Sequence, residues 1–160
     1  MLLELSVAWL LVLSPPACKL VTRQDASKTF GGAYAFQESA TASGRGTSGG
    51  TVVSTHSWIC EYAAFANPGK PSLEIRVNEF ASPAMAHRAL PKWMARFGAV
   101  GRNVTTSIVE NLGDEASLLR APSIAAICVR RGDTLVMIDV WPATADETLR
   151  SLAKLALGRL

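Results

Sequence analysis

From Ser123 onward the chain alternates between apolar runs and polar breaks in an order that predicts strand, turn, strand, helix. The two apolar runs are joined by Arg131-Gly132-Asp133, and a glycine between two strands is what a tight hairpin turn requires. Leu135 to Val140 is apolar on both faces, which predicts a central strand covered on both sides. Beyond it Leu149, Leu152, Ala153, Ala156 and Leu160 recur at helical spacing. Acidic Asp146 and Glu147 in the first turn and basic Lys154 and Arg159 near the end suit the helix dipole, and Thr144 with Glu147 predicts a capping box.

The same order recurs upstream. Thr51 to Phe65 reads as a strand with Trp58, Cys60, Tyr62 and Ala64 on one face and Ile59, Glu61 and Ala63 on the other. After the turn Asn67-Pro68-Gly69-Lys70-Pro71, Ser72 to Phe80 alternates cleanly, with Leu73, Ile75 and Val77 inward and Glu74, Arg76 and Asn78 outward. Ser82-Pro83 then opens a long helix whose buried stripe is Ala86, Leu90, Trp93 or Met94, and Phe97. Pro91 inside it removes an amide donor, which predicts a kink or two short helices.

The remaining segments are shorter. Thr22 with Asp25 forms a capping-box-like start for a helix over Arg23 to Phe30, Val21 can staple onto Ala26, and Gly31-Gly32 supplies the stop. Gln37 to Gly50, rich in Ser, Thr, Ala and Gly, reads as a flexible solvated loop. Arg102 to Val109 is β-branched and strand-like, Leu112-Gly113-Asp114-Glu115-Ala116 is a loop, and Ser117 to Arg120 adds a short strand. These elements predict one α+β domain over residues 18–160, an antiparallel sheet built from two strand-strand-helix repeats. Both long helices are expected on one face, with the short N-terminal helix at an edge.

Composition agrees and narrows the function. With 160 residues and 49% hydrophobic content the chain is large enough for one real core. Sixteen Lys+Arg against 13 Asp+Glu give a net +3, too mild to indicate nucleic acid. There is no Cys-x-x-Cys, no His-Glu-x-x-His and no phosphate-binding glycine loop, so no metal or cofactor is expected. Leu5 to Leu13 is an apolar run that at about 1.5 Å per residue covers about 14 Å, too short to span a hydrocarbon core about 30 Å thick. That length suits the hydrophobic part of an export signal over residues 1–17, although Glu4 is the only charge before Lys19 and a positive start is missing. The expected location is extracytoplasmic, periplasmic or cell-surface. Ala17-Cys18 also suggests a lipoprotein cleavage site, but Pro15 and Pro16 fit that pattern poorly. A helix beginning almost at Cys18 leaves no spacer, so Cys18 reads as part of the domain.

A resemblance supplements this reading. Cys18-Lys19-Leu20-Val21-Thr22, the helix stop at Gly31-Gly32, the strand near Cys60, Leu112-Gly113-Asp114-Glu115-Ala116 and the Arg131-Gly132-Asp133 hairpin resemble a group of uncharacterised bacterial exported proteins, lipoprotein-like or sensor-like envelope domains. The resemblance implies export, an α+β fold and a bridge between Cys18 and Cys60, and brings no activity with it. Matching places in the two repeats give the rival pairing Cys60 to Cys128; the three cysteines leave one unpaired either way.

The candidate chemistry is sparse. His56 and His87 are the only histidines, and a hydrolase would use one of them with Asp114, but no Gly-x-Ser-x-Gly supplies a nucleophile. Asp114 and Glu115 are adjacent carboxylates suited to a cation, to acid–base work, or to capping a turn. Arg88, Lys92 and Arg96 fall four apart on the long helix as a basic row, and with Asp114 and Glu115 they mark a candidate interaction surface. Such a row predicts only weak, salt-sensitive contact with an anionic membrane surface. The function expected from the sequence is therefore a non-enzymatic envelope domain that binds a ligand or protein partner.

Overall fold

A computed structural model describes residues 16–43, 47–48, 51–52, 55–64, 69–100 and 103–160. In chain order the helices are α1 (Pro16–Leu20), α2 (Arg23–Phe30), α3 (Pro83–Val100) and α4 (Asp146–Leu157). The strands are β1 (Ala35–Ser43), β2 (Thr47–Ser48), β3 (Thr51–Val52), β4 (His56–Ala63), β5 (Ser72–Glu79), β6 (Thr105–Ile108), β7 (Glu115–Arg120), β8 (Ala125–Arg131) and β9 (Thr134–Trp141). Among the described residues seven strands make one antiparallel sheet in the order β1-β4-β5-β9-β8-β7-β6, and β2 pairs separately with β3. The mixed α and β architecture with an antiparallel sheet is as expected.

The pattern of apolar residues explains the layers. On β5 and β9, Leu73, Ile75, Val77, Val136, Ile138 and Val140 point to one side, where they meet Leu149, Leu152, Ala153 and Ala156 of α4 and Ala17, Leu20 and Val21 of the N-terminal segment. On the other side Leu135 and Met137 of β9 and Ala126 and Cys128 of β8 meet Ala86, Ala89, Leu90 and Phe97 of α3. Alternate residues of a strand face opposite sides, so α3 and α4 lie on opposite faces. This corrects the expectation that both long helices share one. It also limits the repeat. The hairpins β4-β5 and β8-β9 meet antiparallel at β5 and β9, as a two-fold axis normal to the sheet would arrange them. That axis would carry both helices to the same side, and they do not go there. β9 and β8 are apolar on both faces because each serves both layers.

Several local expectations are met. Thr22 and Asp25 form the full capping box of α2, and the Gly31 amide closes onto the Ser27 carbonyl at 2.9 Å. The β8-β9 turn has Gly132 at φ 60°, within a two-residue loop of Gly132 and Asp133. Cys18 and Cys60 are bridged, with their Cα atoms 5.2 Å apart, and Cys128 is a buried free thiol. The rival Cys60 to Cys128 pairing is thereby set aside.

Others are not. Gln37 to Ser43, expected as loop, belongs to β1, whose residues pair with β4 from Ala35↔Ala63 to Ser43↔His56 with a register shift between Phe36 and Glu38. Ladder hydrogen bonds come from the backbone, so an edge strand can form from Ser, Thr and Ala without an apolar period. α3 runs as one helix through Pro91 rather than two, with Pro91 and His87 both on the solvent side, where water can take the freed carbonyl. The N-cap of α4 is Ala145 with no side-chain bond, in place of the Thr144–Glu147 box. Arg120 holds that end instead, donating to the Thr144 carbonyl at 2.7 Å and pairing with Asp146. Glu115 and Ala116 open β7 instead of lying in a loop. Pro16–Leu20 forms α1, which puts Ala17 in the core. The signal-like run up to Leu13, the glycines within 44–46 and 49–50, Phe65, Asn67, Pro68 and Arg102 lie outside the described residues.

Candidate ligand cleft beside helix α3

The face under α3 is not covered evenly. α3 rests on β8, β9 and part of β7, where the side chains are apolar, but the residues β5 turns toward it are Glu74, Arg76 and Asn78. Polar side chains there cannot be packed under an apolar stripe without cost, and a cleft remains between the helix and β5. It has a volume of about 300 Å³. Trp93, Arg96 and Phe97 of α3 form one wall, Ile124 and Trp141 lie at its rim, and Glu74, Arg76, Met137 and Asp139 form its floor.

Asp139 dominates the electrostatics. It stands directly opposite Glu74 across the β5–β9 ladder and next to Ala126 of β8, and it is 8% exposed. Among the described residues its Oδ1 has no hydrogen-bond partner. Burial disfavours its charged form, with the Glu74 charge adding and Arg76 opposing, so its pKa is pushed up to about 7. Glu74 itself is paired with Arg76 through its Oε1 and the arginine Nε. Cys128 lies under the same helix, and burial first, then the Asp139 charge, raises its thiol to about 12, so it is an inert neutral group. Asn78 is the second unsatisfied group, 1% exposed with Nδ2 unpaired among the described residues. Glu74, Arg76 and Asn78, expected to point outward, instead face α3, and Asn78 is buried.

The residues singled out from sequence fall elsewhere. His56 is exposed at the start of β4, stacked on Trp58 with ring centroids 5.5 Å apart and 3.5 Å from a Glu79 oxygen. His87 on α3 bonds Glu115 at 2.6 Å, not Asp114. Asp114 accepts from Arg130 at 3.0 Å and from the Gly132 amide at 2.7 Å, which ties the loop before β7 to the β8-β9 turn. Arg130 also holds Glu115 at 2.8 Å. Burial raises the Glu115 pKa, but His87 and Arg130 outweigh it and the net shift is downward. The two carboxylates thus do turn-fastening work. Neither histidine has a hydroxyl partner among the described residues, and neither lines the cleft. Arg88, Lys92 and Arg96 are all exposed, as expected of a solvent-facing row, and only Arg96 reaches the cleft. Among the described residues no group of His, Cys, Asp and Glu is placed to hold a metal ion.

The sequence carried one signal for this site. A lone aspartate, Asp139, within the otherwise apolar Leu135 to Trp141, in a strand expected to be covered on both faces, marks a buried carboxylate.

No family model and no curated protein matches the chain. Among solved structures it is similar to the extracellular domain of PknH from Mycobacterium tuberculosis, with a TM-score of 0.63 at 7% identity. The match covers 90% of this chain and 94% of that one. At that identity the likeness establishes a shared fold. Among the described residues no helix is long and apolar enough to cross a membrane.

Proposed function

We propose that this chain is an exported, extracytoplasmic binding domain of the cell envelope, and that the cleft beside α3 is where its small-molecule ligand sits. The observation that carries the reading is Asp139, a buried carboxylate with an unpaired oxygen on the floor of an open, tryptophan-lined cleft. Folding alone gains nothing from such a group, whereas pockets of this kind, apolar with a few convergent polar groups, are where ligands bind. The Cys18–Cys60 disulfide supports an oxidising compartment. The fold shared with an extracellular domain and the short apolar run before Cys18 are consistent with export. The resemblance to envelope proteins seen in the sequence points the same way. A hydrolase built on His56 or His87 with Asp114 finds no support, because Asp114 is taken up by Arg130 and Gly132.

The test is an NMR screen that follows the indole N–H signals while small polar and aromatic compounds are added. The expected result is that at least one compound shifts the Trp93 and Trp141 signals saturably and leaves Trp58 still. A library that moves neither would overturn the assignment of the cleft. Export is tested separately by thiol trapping in cells. A disulfide between Cys18 and Cys60 in the mature protein is expected, and a fully reduced pair would contradict it.

A further inference from the structure

The lining of the cleft narrows the chemistry of what it takes, given the binding role proposed above. A carboxylate oxygen can only accept a hydrogen bond, so the group that completes Asp139 Oδ1 must be a donor. Glu74 stands directly across the ladder from Asp139, and like charges so placed destabilise one another. A neutral hydroxyl would satisfy the oxygen and leave that repulsion in place. A positively charged donor would relieve both. The walls are apolar and aromatic, with Trp93, Phe97 and Trp141 lining the cleft, and indole faces attract cations as well as flat apolar groups. A bare metal ion fits poorly, since divalent cations require several oxygens and two arginines stand nearby.

The arginines set the remaining limits. Arg76 is paired with Glu74, so with Asp139 ionised the three groups sum to one net negative charge, which a single cation would balance. Arg96 is exposed on α3 and would repel a second positive charge at the mouth. We propose that the cleft binds an organic monoamine with an aromatic or apolar body, its ammonium donating to Asp139 beside Glu74 and its body lying against Trp93 and Trp141.

Tryptophan fluorescence tests this directly, because two indoles line the site. The protein is titrated at about pH 8, where Asp139 is ionised, with phenethylamine, 2-phenylethanol and 3-phenylpropionate, three probes of one shape that differ in charge. Phenethylamine should bind at least about tenfold more tightly than the alcohol, and the acid should bind least. Asp139→Asn should abolish that preference, and Glu74→Gln should reduce it by about threefold, which keeps the test usable should the first variant fold poorly. Spermidine should bind more weakly than phenethylamine. Equal or tighter binding of the alcohol or the acid, an undiminished preference in both variants, or no saturable response to phenethylamine would each overturn the amine class. The indole NMR screen judges the cleft independently, so a failure of the amine class and a failure of the binding site are told apart.

Discussion

The two faces of the sheet are built to different standards. On the face of α4, no buried side-chain polar atom is left unpaired among the described residues. The Tyr62 hydroxyl donates to the Cys18 carbonyl at 3.2 Å, and the Tyr34 hydroxyl donates to the Pro71 carbonyl at 2.6 Å. Arg159 reaches Asp25 at 2.5 Å and the Leu20 carbonyl at 3.0 Å, binding the C-terminal end of the chain to α1 and α2. On the face of α3, Asp139 and Asn78 are buried with atoms unpaired among the described residues. One face is satisfied within the fold, and the other leaves polar atoms unpaired beside an open cleft. The difference is written in β5, whose Leu73, Ile75 and Val77 serve the first face while Glu74, Arg76 and Asn78 serve the second.

The largest expected effect is on the closed face. The Cys18–Cys60 bridge closes a separation of 42 residues, which in the chain-entropy model stabilises by on the order of 4 kcal/mol. The double change Cys18→Ser with Cys60→Ser should lower the urea midpoint accordingly. A midpoint unchanged from the parent would show that packing of α1 alone holds the N-terminal segment.

Acidity separates the two faces by sign. Asp139 has its folded pKa raised from 3.8 to about 7, so its contribution is most favourable below pH 4 and is lost as pH rises through about 7. A shift of that size corresponds to on the order of 4 kcal/mol. Asp25 behaves in the opposite way. The Arg159 hydrogen bond, opposed by burial and aided by Thr22, holds its pKa well below the ordinary carboxylate range. Its stabilisation is present above about pH 4 and is lost on acidification. Urea unfolding against pH should therefore show Asp139→Asn more stable than the parent at alkaline pH and Asp25→Asn less stable at neutral pH. Parallel curves for parent and Asp139→Asn would break the comparison.

A smaller effect falls on the loop that fastens β7 to β8. Gly113 has φ 64°, and a Cβ there would lie 2.5 Å from the Arg130 carbonyl oxygen and 2.7 Å from a Val129 methyl. Gly113→Ala should cost about 1–3 kcal/mol, read as a lower thermal midpoint. The least effect is on the exposed row of α3. Arg88→Glu with Lys92→Glu, which leaves Arg96 in the cleft, should weaken sedimentation with anionic vesicles at low salt by about 1 kcal/mol per residue removed and leave the melting temperature unchanged. Binding equal to the parent would remove the membrane from the account.

What could be read from the sequence follows from where each signal resides. The inward face of β5, the Leu149, Leu152, Ala153 and Ala156 stripe of α4 and the Thr22–Asp25 cap are side-chain patterns of single elements and appear as expected, whereas Leu160, expected in that stripe, lies beyond the end of α4 and is exposed. The Cys18–Cys60 bridge was implied by resemblance, while spacing alone left Cys128 in contention. β1 was missed because its ladder to β4 depends on the backbone and its Ser, Thr and Ala carry no period. The face chosen by α3 was not legible either, since β9 offers apolar residues to both sides and cannot tell which helix goes where. The cleft follows from that face. Once α3 lies over the polar side of β5, Glu74 and Arg76 become lining residues, and Asp139 becomes the group they surround.

The account rests on Asp139 being held in a costly state that a cationic donor relieves. Carboxyl carbon NMR of the labelled protein, titrated with pH, measures this in one experiment. In the free protein Asp139 should titrate near the value of about 7 that burial and Glu74 impose. Saturating phenethylamine should move its midpoint down by at least one unit, the shift about tenfold tighter binding to the ionised form requires. An Asp139 that titrates like an exposed aspartate in the free protein, or whose midpoint is unmoved by the amine, would contradict it.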